Sequence, residues 1–265
     1  MTTVQRRQQL PICIAGMHRS GTSMVARLLQ ACGVFLGPKD ELGFDSNNGE
    51  PHFENVRFVA LNDQILRRLG GSWKNPPQFP EGWEEMPQVG PLTAQAKKLI
   101  KRLSVQYYWG WKDPRNSLTL PFWRRIVPDL RVVICLRNPL EVAGSLRERG
   151  DVIGMPLFLL WLTYYGELLR AIPPQQRVIT HYQSYFQDPG AELQRVATEI
   201  GMDVPADVIS RACAHISGNL RHHRVETTEL AAVNVSGEVL AMYLKLCREA
   251  GPNAPQKVAV GPLRY

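Results

Sequence analysis

The sequence has few cysteines, and their arrangement excludes both a disulfide framework and a cysteine-rich metal centre. The five cysteines are odd in number and widely spaced, and none forms the C-x-x-C pair of a structural zinc site. Two of them, Cys13 and Cys135, lie inside apolar strand-like segments. We therefore expect buried free thiols, which fit a reducing, cytoplasmic location.

Long apolar runs and long blocks of like charge are also missing. The longest apolar stretch, residues 155–165, is too short to cross a bilayer, and His18 with Arg19 interrupts the first apolar stretch before a secretory signal could form. The net charge of +7 comes from scattered residues. This pattern favours an anionic small-molecule ligand and predicts no nucleic-acid partner and no transmembrane segment, and it leaves the oligomeric state open.

What the sequence does contain is a regular alternation of strand and helix patterns. Strand-like segments occur at residues 12–15, 108–112, 131–136 and 177–180. Helical patterns occur at residues 22–32, 54–69, 93–103, 118–126, 140–149, 156–172 and 191–200. This order predicts an α/β fold in a single domain, with a central parallel sheet flanked by helices and with ligands beyond the carboxyl ends of the strands. Residues 34–52 and 71–92 are expected to be long surface loops.

The loop after the first strand predicts an anion-binding cradle. Gly16 and Gly21 have the G-x-x-x-x-G spacing of a phosphate-binding loop, and a helix begins directly after it. Thr22 stands where a nucleotide triphosphatase has its lysine, and Arg19 is the nearby cation. A phosphate or sulfate therefore fits the loop better than ordinary ATP hydrolysis does.

Two further motifs follow later strands. Arg137 comes directly after one strand, and Ser145 lies two helical turns further on, so that a guanidinium and a hydroxyl can bind one phosphate. Lys112 ends another strand and begins the K-D-P-R stretch, in which Asp113 and Arg115 can pair with each other or cap the next helix. Each motif alone is also typical of a charged surface turn.

Together the three motifs resemble sulfotransferases that use 3′-phosphoadenosine 5′-phosphosulfate (PAPS). The loop at residues 16–23 resembles the 5′-phosphosulfate loop, and Arg137 with Ser145 resembles the 3′-phosphate pair. Residues 48–55 are similar to the family's N-x-x-G-aromatic-aromatic-E-N segment, although Pro51 and His52 depart from it. The resemblance spans residues 11–201, implies a P-loop-like α/β core, and leaves 202–265 as a helical elaboration.

The resemblance also implies roles for the loop residues. The backbone N–H groups of Ser20, Gly21 and Thr22 would meet developing charge, together with Arg19 and Lys112. The hydroxyl groups of Thr22 and Ser23 would bind the 5′-phosphate. Adenosine 3′,5′-bisphosphate would be the product, and fixed cations and amides would replace a metal ion.

The general base is expected to be Glu54, which matches the base position of tyrosyl-protein sulfotransferases; a helix-start carboxylate is the structural alternative. Glu50, His52 and Asp63 are the other candidates, and His18 could contact substrate or stabilise its loop. Aromatic residues of the 71–92 loop could stack on an acceptor or hold the loop in place: Trp73, Phe79 and Trp83.

Two alternative functions remain at this stage. A P-loop kinase or nucleotidase would need the missing lysine and a magnesium-binding acid, for which Asp113 is a poor candidate. A non-catalytic domain that binds adenosine bisphosphate would not need Arg19, Lys112 and Glu54 together. The acceptor is expected to be a saccharide, a lipid-linked sugar or a small metabolite that receives the sulfuryl group on a hydroxyl or an amine. The late arginines Arg221 and Arg224 could contact the 3′-phosphate or an anionic acceptor, or lie in a solvated turn.

Overall fold

The structure, a computed structural model, describes residues 9–44, 51–151, 153–214, 216 and 235–255. Its centre is a six-stranded sheet with the strand order β2-β3-β4-β1-β5-β6. The strands are β1 (Leu10–Ala15), β2 (Leu42–Phe44), β3 (Pro51–Asn55), β4 (Tyr108–Lys112), β5 (Arg131–Leu136) and β6 (Arg177–His181).

All strands but β2 run parallel to their neighbours, and β2 pairs antiparallel with β3 at the edge. The carboxyl ends of β1, β3, β4, β5 and β6 therefore share one edge of the sheet. Loops that leave this edge bring together residues that are far apart in the sequence.

Helices cover both faces of the sheet. They are α1 (Thr22–Ala31), α2 (Val56–Arg68), α3 (Leu92–Leu103), α4 (Asn116–Ile126), α5 (Pro139–Glu148), α6 (Leu157–Ala171), α7 (Ser184–Gln187), α8 (Pro189–Ile200), α9 (Ala206–Cys213) and α10 (Gly237–Glu249). One apolar core joins the sheet to α2, α3, α4, α6 and α10, and a second joins it to α1, α8 and α9. Because both faces are buried, strands such as β5 consist almost entirely of apolar residues.

The predicted α/β fold class is confirmed, but the region 34–52 was assigned wrongly. It contains β2 and the first residues of β3, and Val34, Leu36 and Leu42 are buried in the second core. The strands were missed because they are short and because β3 includes a proline, which weakens any strand pattern. The helix expected from residue 54 begins at Val56, because Glu54 and Asn55 still belong to β3.

The cysteine prediction is confirmed, since all five thiols are free and buried. Within the described part of the C-terminal region, α9 and α10 provide helical structure beyond residue 202. None of the helices in the described residues combines the length and the apolar composition that crossing a bilayer requires.

Candidate active site

The loop between β1 and α1 depends on glycine at two positions. Gly16 and Gly21 have φ angles of 133° and 84°, which side chains rarely adopt. A Cβ at Gly16 would collide with the carbonyl oxygen of Cys135, and one at Gly21 would collide with the ring of Tyr182. Arg19 also has a positive φ, of 67°. The loop is thus folded tightly against the ends of β5 and β6.

Neighbouring side chains hold this loop in place. The Gly16 N–H donates to Ser117 Oγ at 3.0 Å. Tyr165 donates its hydroxyl proton to the Cys135 carbonyl at 2.7 Å, so Ser20 must donate to the Tyr165 oxygen at 3.2 Å. The Ser20 N–H, a predicted anion donor, is bonded to the Met17 carbonyl at 3.1 Å. Ser20 therefore stabilises the loop in this conformation.

The start of α1 adds backbone N–H donors at the end of this loop. No side chain caps the helix at Gly21, and its first turn contains no acidic residue. The first N–H groups of an uncapped helix and the positive end of its dipole favour an anion. Thr22, whose side chain is buried, and the half-buried Ser23 open this helix, as the sequence predicted.

Lys112 joins this loop to the predicted base. Its side chain is only 1% exposed, and its Nζ donates to Glu54 Oε1 at 2.8 Å and to Ser23 Oγ at 3.1 Å. Ser23 in turn donates to the backbone carbonyl of His52 at 3.2 Å. Burial raises the pKa of Glu54, but the ammonium group of Lys112, together with Arg115 and His52, outweighs burial and holds the pKa below its ordinary value. Glu54 is therefore ionised at neutral pH.

Sheet register explains how Glu54 reaches this lysine. Glu54 on β3 lies opposite Lys112 on β4 in the parallel pairing. The pairing of β2 with β3 is irregular, because the three residues from Leu42 to Phe44 oppose the five from Asn55 to Pro51. Phe53, within this irregularity, has a φ of 56°. Asn55 then caps α2 by accepting from the Arg57 N–H at 3.1 Å.

A second group of cations lies at the end of β5. Arg137 is buried, and its Nε donates to Glu141 at 2.8 Å while its Nη1 donates to the Arg19 carbonyl at 3.0 Å. The guanidinium also stacks on the ring of Tyr182, 4.4 Å from its centroid. Arg19 Nε donates to Ser145 Oγ at 2.8 Å. The structure therefore brings Arg19, Arg137 and Ser145 together.

Arg19 and Lys112 have different hydrogen-bond partners. The guanidinium of Arg19 is bonded to the serine predicted for the 3′-phosphate, whereas Lys112 is bonded to Glu54 and Ser23. Burial lowers the pKa of Arg19, and the neighbouring guanidinium groups of Arg149 and Arg137 lower it further. The role of Arg19 at the sulfuryl group stays a prediction.

A buried polar network supports the end of β4. Arg115 pairs with Asp113 at 2.9 Å and with Asp63 at 2.7 Å. Asn62 donates to Asp113 at 2.8 Å and to Asn116 at 2.9 Å. Asn62 also accepts hydrogen bonds from Thr119 and Trp123, so all four of its side-chain hydrogen bonds are formed. Asn62 connects α2 to α4.

Sequence reasoning missed Asn62 and Tyr182 as parts of this region. A lone Asn inside a helical pattern carries no signal of its own. Its position four residues after Phe58 and three before Ile65 nevertheless places it on the buried face of α2. Tyr182 directly follows β6, and that position at a strand end was the available signal.

His18 is a further buried polar residue of the loop. Its ring lies 4.1 Å from the ring of Trp73, and Tyr164 meets it edge-on at 6.1 Å. Tyr164 also donates to the Trp73 carbonyl at 3.0 Å, which fixes the start of the 71–92 loop. Burial, with the charges of Arg115 and Lys112, lowers the pKa of His18 well below its ordinary value. His18 is therefore neutral at pH 7.

Some predicted residues lie outside the described residues, namely Glu50, Arg221 and Arg224. Among the residues that the structure does describe, no three His, Cys, Asp or Glu side chains are grouped so that they could hold a metal ion. Metal-free catalysis remains a prediction.

The sequence model described as the Sulfotransferase family matches residues 11–207, well over half of the chain. The chain belongs to the sulfotransferase family. Its members transfer a sulfuryl group, and this protein is a sulfotransferase enzyme. No curated protein sequence matches the chain significantly.

Solved sulfotransferase structures are similar to this sulfotransferase in fold. STF1 from Mycobacterium tuberculosis H37Rv superimposes with a TM-score of 0.51 at 14% identity, covering 90% of this chain and 77% of its own. The sulfotransferase domain of the curacin biosynthetic pathway has a TM-score of 0.51 at 10% identity, with coverages of 90% and 97%. STF9 from Mycobacterium avium has a TM-score of 0.48 at 16% identity, with coverages of 82% and 69%. At these identities the likeness concerns the fold alone.

Proposed function

We propose that this sulfotransferase moves the sulfuryl group of PAPS to a hydroxyl group of a saccharide, a lipid-linked sugar or a small metabolite, and that it acts in the cytoplasm. The observation that carries the proposal is the buried ammonium group of Lys112, which is bonded at once to Ser23 of the β1–α1 loop and to Glu54. A cation, an anion cradle and a carboxylate are thus within one hydrogen-bonded chain. This combination serves transfer of an anionic group to a hydroxyl.

The residues fit a donor that has phosphate groups at two ends. At one end the uncapped start of α1 and the hydroxyl groups of Thr22 and Ser23 would hold the 5′-phosphosulfate. At the other end Arg137 and Ser145 would hold the 3′-phosphate. Arg137 Nη2 has no hydrogen bond to any described residue, so a charged donor remains available there.

The side chains divide the chemistry between them. When bound, PAPS supplies the sulfuryl group and a bisphosphate leaving group. Glu54 Oε accepts the proton of the acceptor hydroxyl as the new S–O bond forms, because its carboxylate is ionised and partly exposed, at 22%. Lys112 Nζ would supply positive charge to the leaving group as the sulfuryl group departs. The first N–H groups of α1 would stabilise the same developing charge without reorganisation.

A transfer assay with matched variants tests this proposal. Radiolabelled PAPS would be offered with glycan, glycolipid and metabolite extracts, and the labelled product would be used to compare the wild type with Glu54→Gln. We expect a loss of kcat of about 10²- to 10⁴-fold in the variant, since the base is removed while the shape is kept. Glu85→Gln, at an exposed position, is the control and should retain full activity.

The binding of adenosine 3′,5′-bisphosphate separates a lost base from a lost fold. Glu54→Gln should bind the bisphosphate within about threefold of the wild type, since the expected contacts of that ligand lie on the loop and at β5. A Glu54→Gln enzyme with wild-type turnover would show that another group removes the proton.

A further inference from the structure

The Asp63–Arg115 ion pair beside Glu54 has one unused donor and one unused acceptor. Arg115 uses Nε for Asp63 and Nη1 for Asp113, and Asp63 uses Oδ1 for Arg115. Arg115 Nη2 and Asp63 Oδ2 have no hydrogen-bond partner among the described residues. The two side chains are 11% and 37% exposed. The ion pair is therefore partly open to solvent and retains one hydrogen-bond donor and one acceptor.

This pair lies at the same sheet edge as the base. Arg115 follows Lys112 by three residues in the loop that leaves β4, and Lys112 is bonded to Glu54. The guanidinium of Arg115 is close enough to Glu54 for each group to affect the pKa of the other. An acceptor whose hydroxyl reaches Glu54 would therefore meet the Asp63–Arg115 pair with an adjacent part of its structure.

The charges at this edge restrict the class of acceptor. The charged side chains of Glu54, Asp63 and the K-D-P-R stretch comprise three carboxylates and two cations: Glu54, Asp63, Asp113, Lys112 and Arg115. A carboxylated or phosphorylated acceptor would gain no net attraction there. An apolar alcohol would leave Arg115 Nη2 and Asp63 Oδ2 desolvated without partners, which costs binding free energy.

Aromatic rings complete the surroundings of the pair. The charges of Arg115 and Asp63 reach Tyr164, whose ring meets His18, and His18 packs on Trp73. Of these rings, that of Tyr164 is fully buried and that of Trp73 is only partly buried, so Trp73 offers the flat surface that suits the apolar face of a sugar ring.

From these observations we infer that Asp63 and Arg115 bind two adjacent hydroxyl groups of a neutral sugar acceptor. This inference rests on the proposed function and names its acceptor class. Asp63 Oδ2 accepts a hydrogen bond from one hydroxyl, and Arg115 Nη2 donates one to its neighbour. Asp63 thus binds the sugar that receives the sulfuryl group, and Glu54 keeps the role of base. A free saccharide and a lipid-linked sugar would both supply this chemistry.

The test uses radiolabelled PAPS with defined acceptors. Methyl glycosides of glucose, galactose and mannose represent a free saccharide, and octyl glycosides of the same sugars represent a lipid-linked sugar. Octanol represents apolar alcohols, and glucuronate represents anionic sugars. We expect transfer to at least one glycoside, with octanol and glucuronate poor acceptors. A preference for the octyl form indicates the lipid-linked source.

The Asp63→Asn variant tests the contact itself, because Oδ1 can still accept from Arg115 while the unused acceptor becomes a donor. We expect KM for the glycoside to rise about 10- to 100-fold with kcat changed by less than about threefold. Removing one of the two adjacent hydroxyls from the sugar should cost the wild type a similar factor but cost Asp63→Asn little more. Asp207→Asn, at an exposed ion pair on α9, is the control.

Three results would overturn the inference: an unchanged KM in Asp63→Asn, losses from the deoxy sugar that add fully to those of the variant, or efficient transfer to octanol or glucuronate. A protein that binds adenosine 3′,5′-bisphosphate but sulfates no glycoside also overturns it and leaves the proposed function standing. A protein that binds no bisphosphate overturns both.

Discussion

The two ends of the proposed donor site hold their cations by different means. At the sulfuryl end, Lys112 is fixed by the register of β4 with β3, and its ammonium group is buried between Ser23 and Glu54. At the 3′-phosphate end, Arg137 is fixed by a carboxylate one helical turn away, Glu141, and by the carbonyl of Arg19. Backbone pairing therefore fixes the position of Lys112, and side-chain contacts fix the position of Arg137.

This difference shows which end has more freedom to adjust. Moving the backbone of Lys112 relative to that of Glu54 requires β4 to shift against β3, and the Lys112 side chain is itself buried. Arg19, by contrast, is exposed and can exchange Ser145 for another acceptor without disturbing the core. We expect the rigid end to determine the rate and the adjustable end to determine donor affinity.

The largest effect should come from Lys112→Met, which keeps the length of the side chain and removes the charge. Because the ammonium group lies between the loop and the base, kcat should fall about 10³-fold. Single-turnover transfer of labelled sulfate measures this effect. Lys101→Met, on the exposed face of α3, is the matched control and should be unaffected. If the kcat of Lys112→Met lay within about tenfold of the wild-type kcat, the sulfuryl end would not determine the rate as we expect.

A smaller effect, on affinity rather than rate, is expected from Arg137→Ala. Loss of a charged hydrogen-bonding group should weaken the binding of adenosine 3′,5′-bisphosphate about 10- to 100-fold. At saturating donor, kcat should change little. Isothermal titration calorimetry measures the affinity, with Arg211→Ala at an exposed position as the control. An equal fall in kcat and affinity would mean that the two ends do not divide their work as proposed.

Ser145→Ala should have a smaller effect still. It removes the hydroxyl that accepts from Arg19 but leaves both guanidinium groups in place. The affinity for the bisphosphate should fall by about 2- to 10-fold, because one hydrogen bond is lost while both charged groups remain. The same calorimetric titration detects it. A loss as large as that of Arg137→Ala would show that the serine, and not the arginine, dominates this end.

The pH dependence of stability sharpens the account of the loop that joins the two ends. His18 has a pKa below its unfolded value of about 6.5, so the unfolded chain binds the extra proton first. The stabilising effect of a neutral His18 is therefore complete above about pH 6.5 and is lost as the pH falls towards the lower folded value. His18→Phe keeps an aromatic ring against Trp73 and should flatten the decline in melting temperature from about pH 6.5 to 5. An equally steep decline in the variant would contradict this assignment.

The sequence predicted the fold class and most strand ends correctly because both depend on local patterns. The apolar run of β5 ends at Leu136 both in the pattern and in the structure, and Lys112 ends β4 in both. Parallel topology then brings these ends to one edge of the sheet, so the grouping of Arg137 with the loop could be predicted without coordinates.

The remaining features depend on contacts between distant residues. The pairing of β2 with β3, which aims Glu54 at Lys112, involves an irregular register and a positive φ at Phe53, and neither has a local signature. The hydrogen bond from Arg19 to Ser145 joins residues 126 positions apart. The ion pair between Asp63 and Arg115 likewise joins α2 to the loop after β4, and no local pattern in the sequence indicates it.

The most direct test of the central claim is calorimetric titration of the wild-type protein with adenosine 3′,5′-bisphosphate in the presence of a chelator. The account predicts metal-independent binding that is about 10- to 100-fold tighter than that of adenosine 5′-phosphate, since the 3′-phosphate contributes a charged contact with Arg137. In a parallel titration with magnesium and without chelator, tighter binding of magnesium-ATP than of the bisphosphate would contradict the account.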